Sequence, residues 1–312
     1  MEVVGPDCVP AASGSAVTVG AYDGVHLGHR RLLSILRQAA ERAGLQSVVV
    51  TFDRHPATVV RPESAPAVLT DLDYKLELLG ELGIDRTVVV PFDDQRAQER
   101  AEDFVQEVLV GALRARVVVV GPDFHFGHKR EGDVSLLCSM GGSLGFSVEA
   151  IDPVAASQGS GPVSSTRIRR LIAEGRVAEA SELLVRDHEV HGPVVRGAGR
   201  GARLLGFPTA NLRVPVQMAV PAPGVYAGRF AWGGSQGRPA AISVGEPPTF
   251  ASVDGRSHLV EAHVLDLDED LYGAHARVSF QRWIRGQKAF EDLDTLVEQM
   301  ARDVQDARGH RR

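Results

Sequence analysis

Short valine-rich segments alternate with segments of helical apolar spacing through the first half of the chain, and this alternation restricts the possible folds most. The valine-rich segments predicted as strands are 16–19, 47–52, 86–91, 117–121 and 147–151. The segments with helical apolar spacing are 30–43, 74–82 and 99–113. Parallel strands need crossover connections, which are usually helices. The alternation therefore predicts an α/β fold with a parallel sheet covered by helices on both faces.

The second half of the chain has a different pattern. Residues 167–184 are predicted as one or two helices, and residues 290–308 as a last helix. Between them, short β-rich segments broken by glycine and proline are predicted as strands at 192–196, 225–232, 240–244, 259–265 and 275–280. Strands at this spacing are typical of a small antiparallel barrel. A domain boundary is predicted near residues 184–187.

Composition excludes several classes of protein. A length of 312 residues allows two domains, and a net charge of −6 argues against nucleic acid as a partner. No segment has the roughly 20 apolar residues needed to span a bilayer, and the first residues lack a secretory signal pattern, so we expect a cytoplasmic protein without membrane contact. The only cysteines, Cys8 and Cys138, are expected to be reduced. The oligomeric state stays open.

Residues 20–29, with the sequence GAYDGVHLGH, close the first predicted strand and open a helix. A helix N-terminus offers unpaired N–H groups and a positive dipole to an anion. His26 and His29 are three residues apart, so both side chains can point at one phosphate. The segment predicts a phosphate site. The alternative is an ordinary strand-to-helix turn with two surface histidines.

Residues 163–170, with the sequence VSSTRIRR, place three hydroxyl groups and three guanidinium groups at another predicted helix start. Ser and Thr side chains satisfy N-terminal N–H groups, and arginine binds phosphate with paired hydrogen bonds. The segment is suited to a polyphosphate. Alone, it is more typical of an ordinary capped helix with a solvated basic face.

Three further segments complete a set of motifs: TFDRHP at 51–56, VGPDFHFG at 120–127 and GFPTAN at 206–211. In this order, the motifs resemble those of the prokaryotic bifunctional riboflavin kinase/FMN adenylyltransferases, also called FAD synthetases. The resemblance runs from about Val17 to Arg308. It implies a Rossmann-like nucleotidyltransferase domain of the HxGH type at 1–184. It also implies a small antiparallel β-barrel riboflavin kinase domain with a C-terminal helix at 185–312.

The resemblance assigns adenylylation of FMN by ATP to the first domain. The nucleophile there is the phosphate of FMN, largely a dianion at neutral pH, so no side-chain base is needed. Catalytic roles are implied for His26, His29 and Arg167. ATP contacts are implied for Gly20, Asp23, Gly24, Ser164, Ser165 and Thr166. Flavin contacts are implied for Phe52, His55, Asp123, Phe124 and Phe126, although a core role for one of the last two phenylalanines is as good an interpretation.

In the second domain the resemblance implies phosphorylation of riboflavin, whose hydroxyl must lose a proton to a base. Glu261 matches the catalytic glutamate of the family, although the strand pattern alone favours a glutamate on an outer strand face. Thr209 and Asn211 match residues that carry Mg²⁺ and nucleotide phosphate, with Thr209 as metal ligand. Further implied contacts are those of Gly199 and Gly201 with ATP and of Arg285 with the flavin.

The sequence argues against a zinc site and against a dinucleotide-dependent dehydrogenase. The histidine pairs His26/His29 and His125/His128 lack a third ligand at convincing spacing, which argues against zinc and leaves Mg²⁺ as the expected metal. The glycine run at 197–202 lacks the GxGxxG spacing and precedes no obvious helix, which argues against a dinucleotide-dependent dehydrogenase.

Two departures from the family pattern concern the kinase half. Glu246 and Pro247 stand where the family commonly has threonine and asparagine, and Val185 stands where the junction usually has glycine. An added carboxylate near phosphate is unfavourable. Two alternatives therefore stay open beside the two-activity enzyme: an FMN adenylyltransferase with a weakened kinase domain, and a flavin-binding regulator without turnover.

Overall fold

The structure is a computed structural model that describes residues 1–6, 13–154, 161–196, 209–245, 257–267 and 269–309. The chain divides into two compact units, Met1–Ser165 and Thr166–Arg312.

The first unit contains a six-stranded sheet in the order β1-β4-β3-β2-β5-β6, and every neighbouring pair is parallel. Its strands are β1 (Glu2–Val4), β2 (Ser15–Val19), β3 (Gln46–Phe52), β4 (Arg86–Val90), β5 (Ala115–Val120) and β6 (Ser147–Ala150). Its helices are α1 (Leu27–Ala43), α2 (Ala57–Val60), α3 (Leu72–Glu81), α4 (Asp94–Ala97), α5 (Ala101–Phe104) and α6 (Val134–Leu144). A π-helix (Val105–Ala112) continues α5, and short 3₁₀ turns lie at Pro62–Ser64 and His128–Arg130.

Apolar side chains cover both faces of this sheet, as the alternating pattern predicts. One face packs against α5, the π-helix and α6 through Phe104, Leu109 and Leu137. The other face packs against α1 and α3 through buried leucines such as Leu36 and Leu78. In a sheet of this kind, ligands bind at the carboxyl ends of the strands.

The second unit is a closed antiparallel barrel in the order β10-β11-β8-β7-β12-β9. Its strands are β7 (His188–Val195), β8 (Ala210–Pro215), β9 (Gly224–Trp232), β10 (Arg238–Val244), β11 (Ser257–Val264) and β12 (His275–Arg285). Its helices are α7 (Ser165–Ala173), which begins at the division between the units, α8 (Val177–Leu184) and α9 (Leu293–Arg308). The predicted α/β domain, barrel and C-terminal helix are thereby confirmed.

The division between the compact units lies earlier than the boundary predicted near residues 184–187. Helix α8 packs on β7 and β12 of the barrel, which groups it with the second unit. A compact unit is a geometric grouping, so the division of function at 184/185 stays a prediction.

Candidate active sites

The loop between β2 and α1 is held in one conformation by its own buried contacts. Tyr22 and Val25 have positive φ angles of 49° and 39°, which non-glycine residues rarely adopt. The Tyr22 hydroxyl shares a 2.6 Å hydrogen bond with Thr18 Oγ1. Asp23 Oδ1 accepts hydrogen bonds from the backbone N–H groups of Leu69 (2.8 Å) and Thr70 (3.1 Å). Backbone strain of this kind persists where surrounding contacts enforce it, often at functional sites.

Asp23 and Gly24 therefore shape the loop. Gly24 has a φ of 85°, and its N–H donates to Thr70 Oγ1 at 3.1 Å. Direct contact of Gly20, Asp23 and Gly24 with ATP stays a prediction, because the observed contacts of Asp23 and Gly24 are with the protein.

The two histidines of this loop lie together. His26 caps α1, and its Nδ1 accepts the backbone N–H of His29 at 3.4 Å. The two rings stack with centroids 3.6 Å apart and planes 15° from parallel. Because Nδ1 of His26 is the acceptor, the neutral ring carries its proton on Nε2.

His29 is held neutral. Burial lowers its pKa well below 6.5, and electrostatic interactions with His26 and Lys75 add to this effect. Its Nδ1 is buried and has no hydrogen-bond partner among the described residues. A neutral imidazole with an unsatisfied buried nitrogen is suited to bind a polar ligand.

Lys75 belongs to none of the sequence motifs. This lysine is buried on α3, and it interacts electrostatically with His29. Its spacing from Leu78 and Leu79, which places a lysine on the apolar face of the helix, is the sequence signal that could have found it.

The second phosphate motif begins beside the first. Ser165 starts α7, and its hydroxyl donates to the backbone oxygen of Asp23 at 2.9 Å. This bond joins the end of the first unit to the β2–α1 loop. Ser164 precedes the helix, and Thr166 and Arg167 follow in its first turn. The phosphate contacts of Ser164, Thr166 and Arg167 stay predictions.

The predicted flavin residues of the first unit have structural contacts of their own. Phe124 and Phe126 stack on each other with centroids 5.3 Å apart, and both pack against the core. Phe52 makes an edge contact with Phe92, and His55 Nδ1 accepts the N–H of Ala57. Asp123 is exposed. Their flavin contacts stay predictions.

In the barrel, Glu261 and Asn211 lie side by side. Glu261 of β11 pairs with Asn211 of β8 on one side and with Ser243 of β10 on the other. The flanking residues Leu212 and Val260 are buried in the barrel. Because side chains alternate along a strand, Glu261, Asn211 and Ser243 share the outer face.

Two observations favour chemistry on this outer face. Desolvation by surrounding protein atoms raises the pKa of Glu261 above its usual value, although the side chain stays solvent-accessible. Asn211 is 5% exposed, and its Oδ1 has no hydrogen-bond partner in the described part of the chain. Thr209, half-buried, directly precedes β8. Hydroxyl and amide oxygens are ligands that Mg²⁺ accepts, so the donor set fits this ion.

Ser243 and Gln287 also lie at this face of the barrel, and no sequence motif predicts their contact. Gln287 Nε2 donates to Ser243 Oγ at 3.1 Å and to the backbone oxygen of Val244 at 2.9 Å. The contact depends on strand register, which no local pattern reveals.

Arg285 is part of a buried ion pair. Its Nε and Nη2 donate to the carboxylate of Asp303 on α9, with a shortest distance of 2.7 Å, and its Nη1 donates to Gly286 O. Each guanidinium nitrogen thus has a protein partner, so hydrogen bonding to a flavin would compete with these bonds. The flavin contact stays a prediction.

We expect Asp303→Ala to lower the free energy of unfolding by about 3 kcal/mol, because it leaves the half-buried guanidinium of Arg285 without its carboxylate partner. Urea unfolding measures the change. Glu298→Ala is the control, since it breaks an exposed ion pair with Arg302 on the same helix and should cost less than about 1 kcal/mol. Equal losses in the two variants would contradict the structural role of Asp303.

Several predicted residues lie outside the described residues: Gly199 and Gly201, Phe207 and Pro208 of the GFPTAN motif, Glu246 and Pro247, and Cys8. Cys138 is exposed and not disulfide-bonded. Across the described ranges, no helix is long and apolar enough to cross a membrane. Within those ranges, no group of three or more His, Cys, Asp or Glu side chains could hold a metal ion.

Comparison with known proteins shows two family matches, one for each half. Residues 9–167 match the family described as FAD synthetase, and residues 184–310 match the family described as riboflavin kinase.

Curated relatives match over nearly the whole chain. Bifunctional riboflavin kinase/FMN adenylyltransferase of Escherichia coli is 38% identical over 295 residues, 95% of this chain and 92% of the relative. The protein of that name from Listeria monocytogenes is 36% identical over 94% of this chain and 91% of its own length. A solved structure described as a macrolide-efflux protein from Streptococcus pneumoniae has a TM-score of 0.86, 30% identity and 98% coverage of both chains.

Proposed function

The chain belongs to the family of bacterial bifunctional riboflavin kinase/FMN adenylyltransferases, and we propose which of its residues perform the two reactions. The enzyme phosphorylates riboflavin with ATP to give FMN. It then adenylylates FMN with a second ATP to give FAD and pyrophosphate. Matches to both families and to full-length bifunctional relatives support this function and not a monofunctional adenylyltransferase.

Adenylyl transfer needs positioned donors and no protein base. A phosphate oxygen of FMN attacks the α-phosphorus of ATP, and the bond to the β-phosphate oxygen breaks. His26 donates through Nε2–H, and neutral His29 donates beside it, to the phosphate oxygens that gain charge. The stacked rings, 3.6 Å apart, support a shared phosphate target.

The triphosphate is held at its other end by the start of α7. Ser164, Ser165 and Thr166 offer hydroxyl groups there, and Arg167 offers a guanidinium. The 2.9 Å bond from Ser165 to the backbone of Asp23 supports this arrangement, because it links the helix start to the histidine loop. Phe52, His55, Asp123, Phe124 and Phe126 are proposed to contact the flavin.

In the kinase reaction, Glu261 accepts the proton of the ribityl hydroxyl group as the hydroxyl oxygen attacks the γ-phosphorus of the first ATP. The bond to the β-phosphate oxygen breaks, and ADP leaves. The pairing of Glu261 with Asn211 across β11 and β8 is the observation that carries this assignment. It places the proposed base beside the residue proposed to bind Mg²⁺ and the nucleotide phosphates.

Thr209 and Asn211 are proposed to hold Mg²⁺ with the nucleotide. When bound, the ion neutralises charge on the β- and γ-phosphates. The buried Asn211 Oδ1 supports this role, since an unsatisfied buried acceptor costs stability unless a ligand uses it. Gly199 and Gly201 are proposed to approach the same phosphates, and Arg285 the flavin.

We expect Asn211→Leu to lower riboflavin phosphorylation roughly tenfold or more, because a ligand of the nucleotide complex is lost. The melting temperature should stay the same or rise, since the substitution removes an unsatisfied buried acceptor. Arg213→Leu is the matched control, being exposed two residues further along β8. A large loss of melting temperature with unchanged kinetics would contradict the proposed role of Asn211.

The functional boundary is proposed to lie at 184/185, supported by family matches that end at residue 167 and begin at residue 184. The cytoplasm is proposed as the location, supported by the use of ATP in both reactions.

A further inference from the structure

The ammonium group of Lys75 is buried at the carboxyl edge of the parallel sheet. Lys75 is 7% exposed. Its Nζ donates to Phe52 O at 2.9 Å, to Thr51 Oγ1 at 3.0 Å and to Ala21 O at 3.3 Å. Phe52 and Thr51 end β3, and Ala21 follows β2. One side chain therefore joins the ends of two central strands where the loop between β2 and α1 begins.

This buried charge has no direct counterion. Its three acceptors are uncharged, and in the described part of the chain Lys75 forms no ion pair with a carboxylate. Asp23 and Asp53 attract the ammonium from a greater distance. Burying an unpaired ammonium is costly. No adjacent carboxylate neutralises the positive charge in the described residues, so this charge can attract an anionic ligand through space.

The charge of Lys75 acts electrostatically on the histidine pair, because Lys75 is one of the groups that lower the pKa of His29. We propose that Lys75 is a positioning residue for adenylylation: it fixes the ends of β2 and β3 and adds a positive charge to the phosphate site of His26 and His29. The inference rests on the phosphate-binding role proposed for these histidines.

The protonation of Lys75 makes the proposal testable by pH. Burial lowers its pKa from 10.5 to about 8, and Asp23 and Asp53 oppose part of this effect. His29 on α1 is the other titratable group that interacts with it. The ammonium is therefore charged at pH 7 and loses its charge as the pH rises through 8. The second ionisation of a phosphate, near pH 6, is complete by then.

The first measurement is the pH profile of the unmodified enzyme. We expect kcat/KM for FMN adenylylation to fall as the pH rises from 7 to 9, because the free enzyme loses the Lys75 charge. Riboflavin phosphorylation, measured in the same preparation, should not follow this fall.

The second measurement compares two variants. Lys75→Gln keeps N–H donors but removes the charge, so kcat/KM for adenylylation at pH 7 should fall roughly tenfold or more and become flat between pH 7 and 9. Thr51→Val is the matched control, since it removes one acceptor of Lys75 and keeps the charge. It should retain most of the activity and still lose rate at high pH.

A flat adenylylation profile in the unmodified enzyme, or unmodified kinetics in Lys75→Gln, overturns the proposal. If Lys75→Gln loses riboflavin phosphorylation as well, the variant has misfolded. The proposal is then tested by the pH profiles of adenylylation in the unmodified enzyme and in Thr51→Val. Normal adenylylation in His29→Ala would instead show that the proposed phosphate site is wrong.

Discussion

Glu261→Gln is expected to lower riboflavin phosphorylation by roughly 10²- to 10⁴-fold, the range that a positioned general base contributes. Glutamine preserves the size of the side chain but cannot accept the proton of the ribityl hydroxyl. Product chromatography after incubation with riboflavin, ATP and MgCl₂ measures the loss.

Two controls accompany this variant. FMN supplied directly should still become FAD at the unmodified rate, because none of the residues proposed for adenylylation lies in the barrel. Leu259→Gln changes an exposed residue on the same strand and face, and it should leave both reactions unchanged. Riboflavin phosphorylation that survives Glu261→Gln would exclude Glu261 as the base.

The raised pKa of Glu261 adds a pH dependence to the same prediction. A base must be unprotonated to act, so kcat/KM for riboflavin should fall as the pH drops through this raised pKa. The acid limb should be absent from the residual activity of Glu261→Gln.

His29→Ala is expected to lower FAD formation from FMN by roughly 10²-fold or more, by analogy with the loss of one oxyanion donor. FMN formation from riboflavin should barely change. Initial rates of FAD and pyrophosphate production measure the effect.

A graded series makes the role of His29 specific. His29→Gln retains an N–H donor and should lose less activity than His29→Ala. Gln38→Ala changes an exposed residue on the same helix and serves as the control for α1. An unaltered FAD rate in His29→Ala would leave this histidine with a structural role alone.

The sequence predicts the main elements well because the valine-rich segments are long enough to mark buried strands. The strands predicted at 47–52 and 86–91 correspond to β3 and β4. Five of the numbered helices and strands have no sequence prediction. They are β1, which is three residues long and largely exposed, β8, which contains Arg213 and ends in proline, α6, a helix rich in glycine and serine, and the four-residue helices α2 and α4.

The candidate sites are predictable as motifs but not as geometry. The spacing of His26 and His29 indicates a phosphate site, whereas the stacking of their rings and the neutral state of His29 follow from tertiary burial. The proximity of Glu261 to Asn211 depends on the register between β11 and β8, which long-range hydrogen bonds set. Lys75 is missed because a lysine is rarely buried, although helical periodicity places it on the face of Leu78 and Leu79.

One chain performs both reactions. The most direct test is a time course with purified protein, riboflavin, ATP and MgCl₂, in which riboflavin, FMN, FAD, ADP and pyrophosphate are separated and quantified. We expect FMN to appear first and FAD to follow, with one ADP for each riboflavin consumed and one pyrophosphate for each FAD. FAD formed only when FMN is supplied, with riboflavin left unchanged, would contradict the account and direct attention to Glu246 and Pro247.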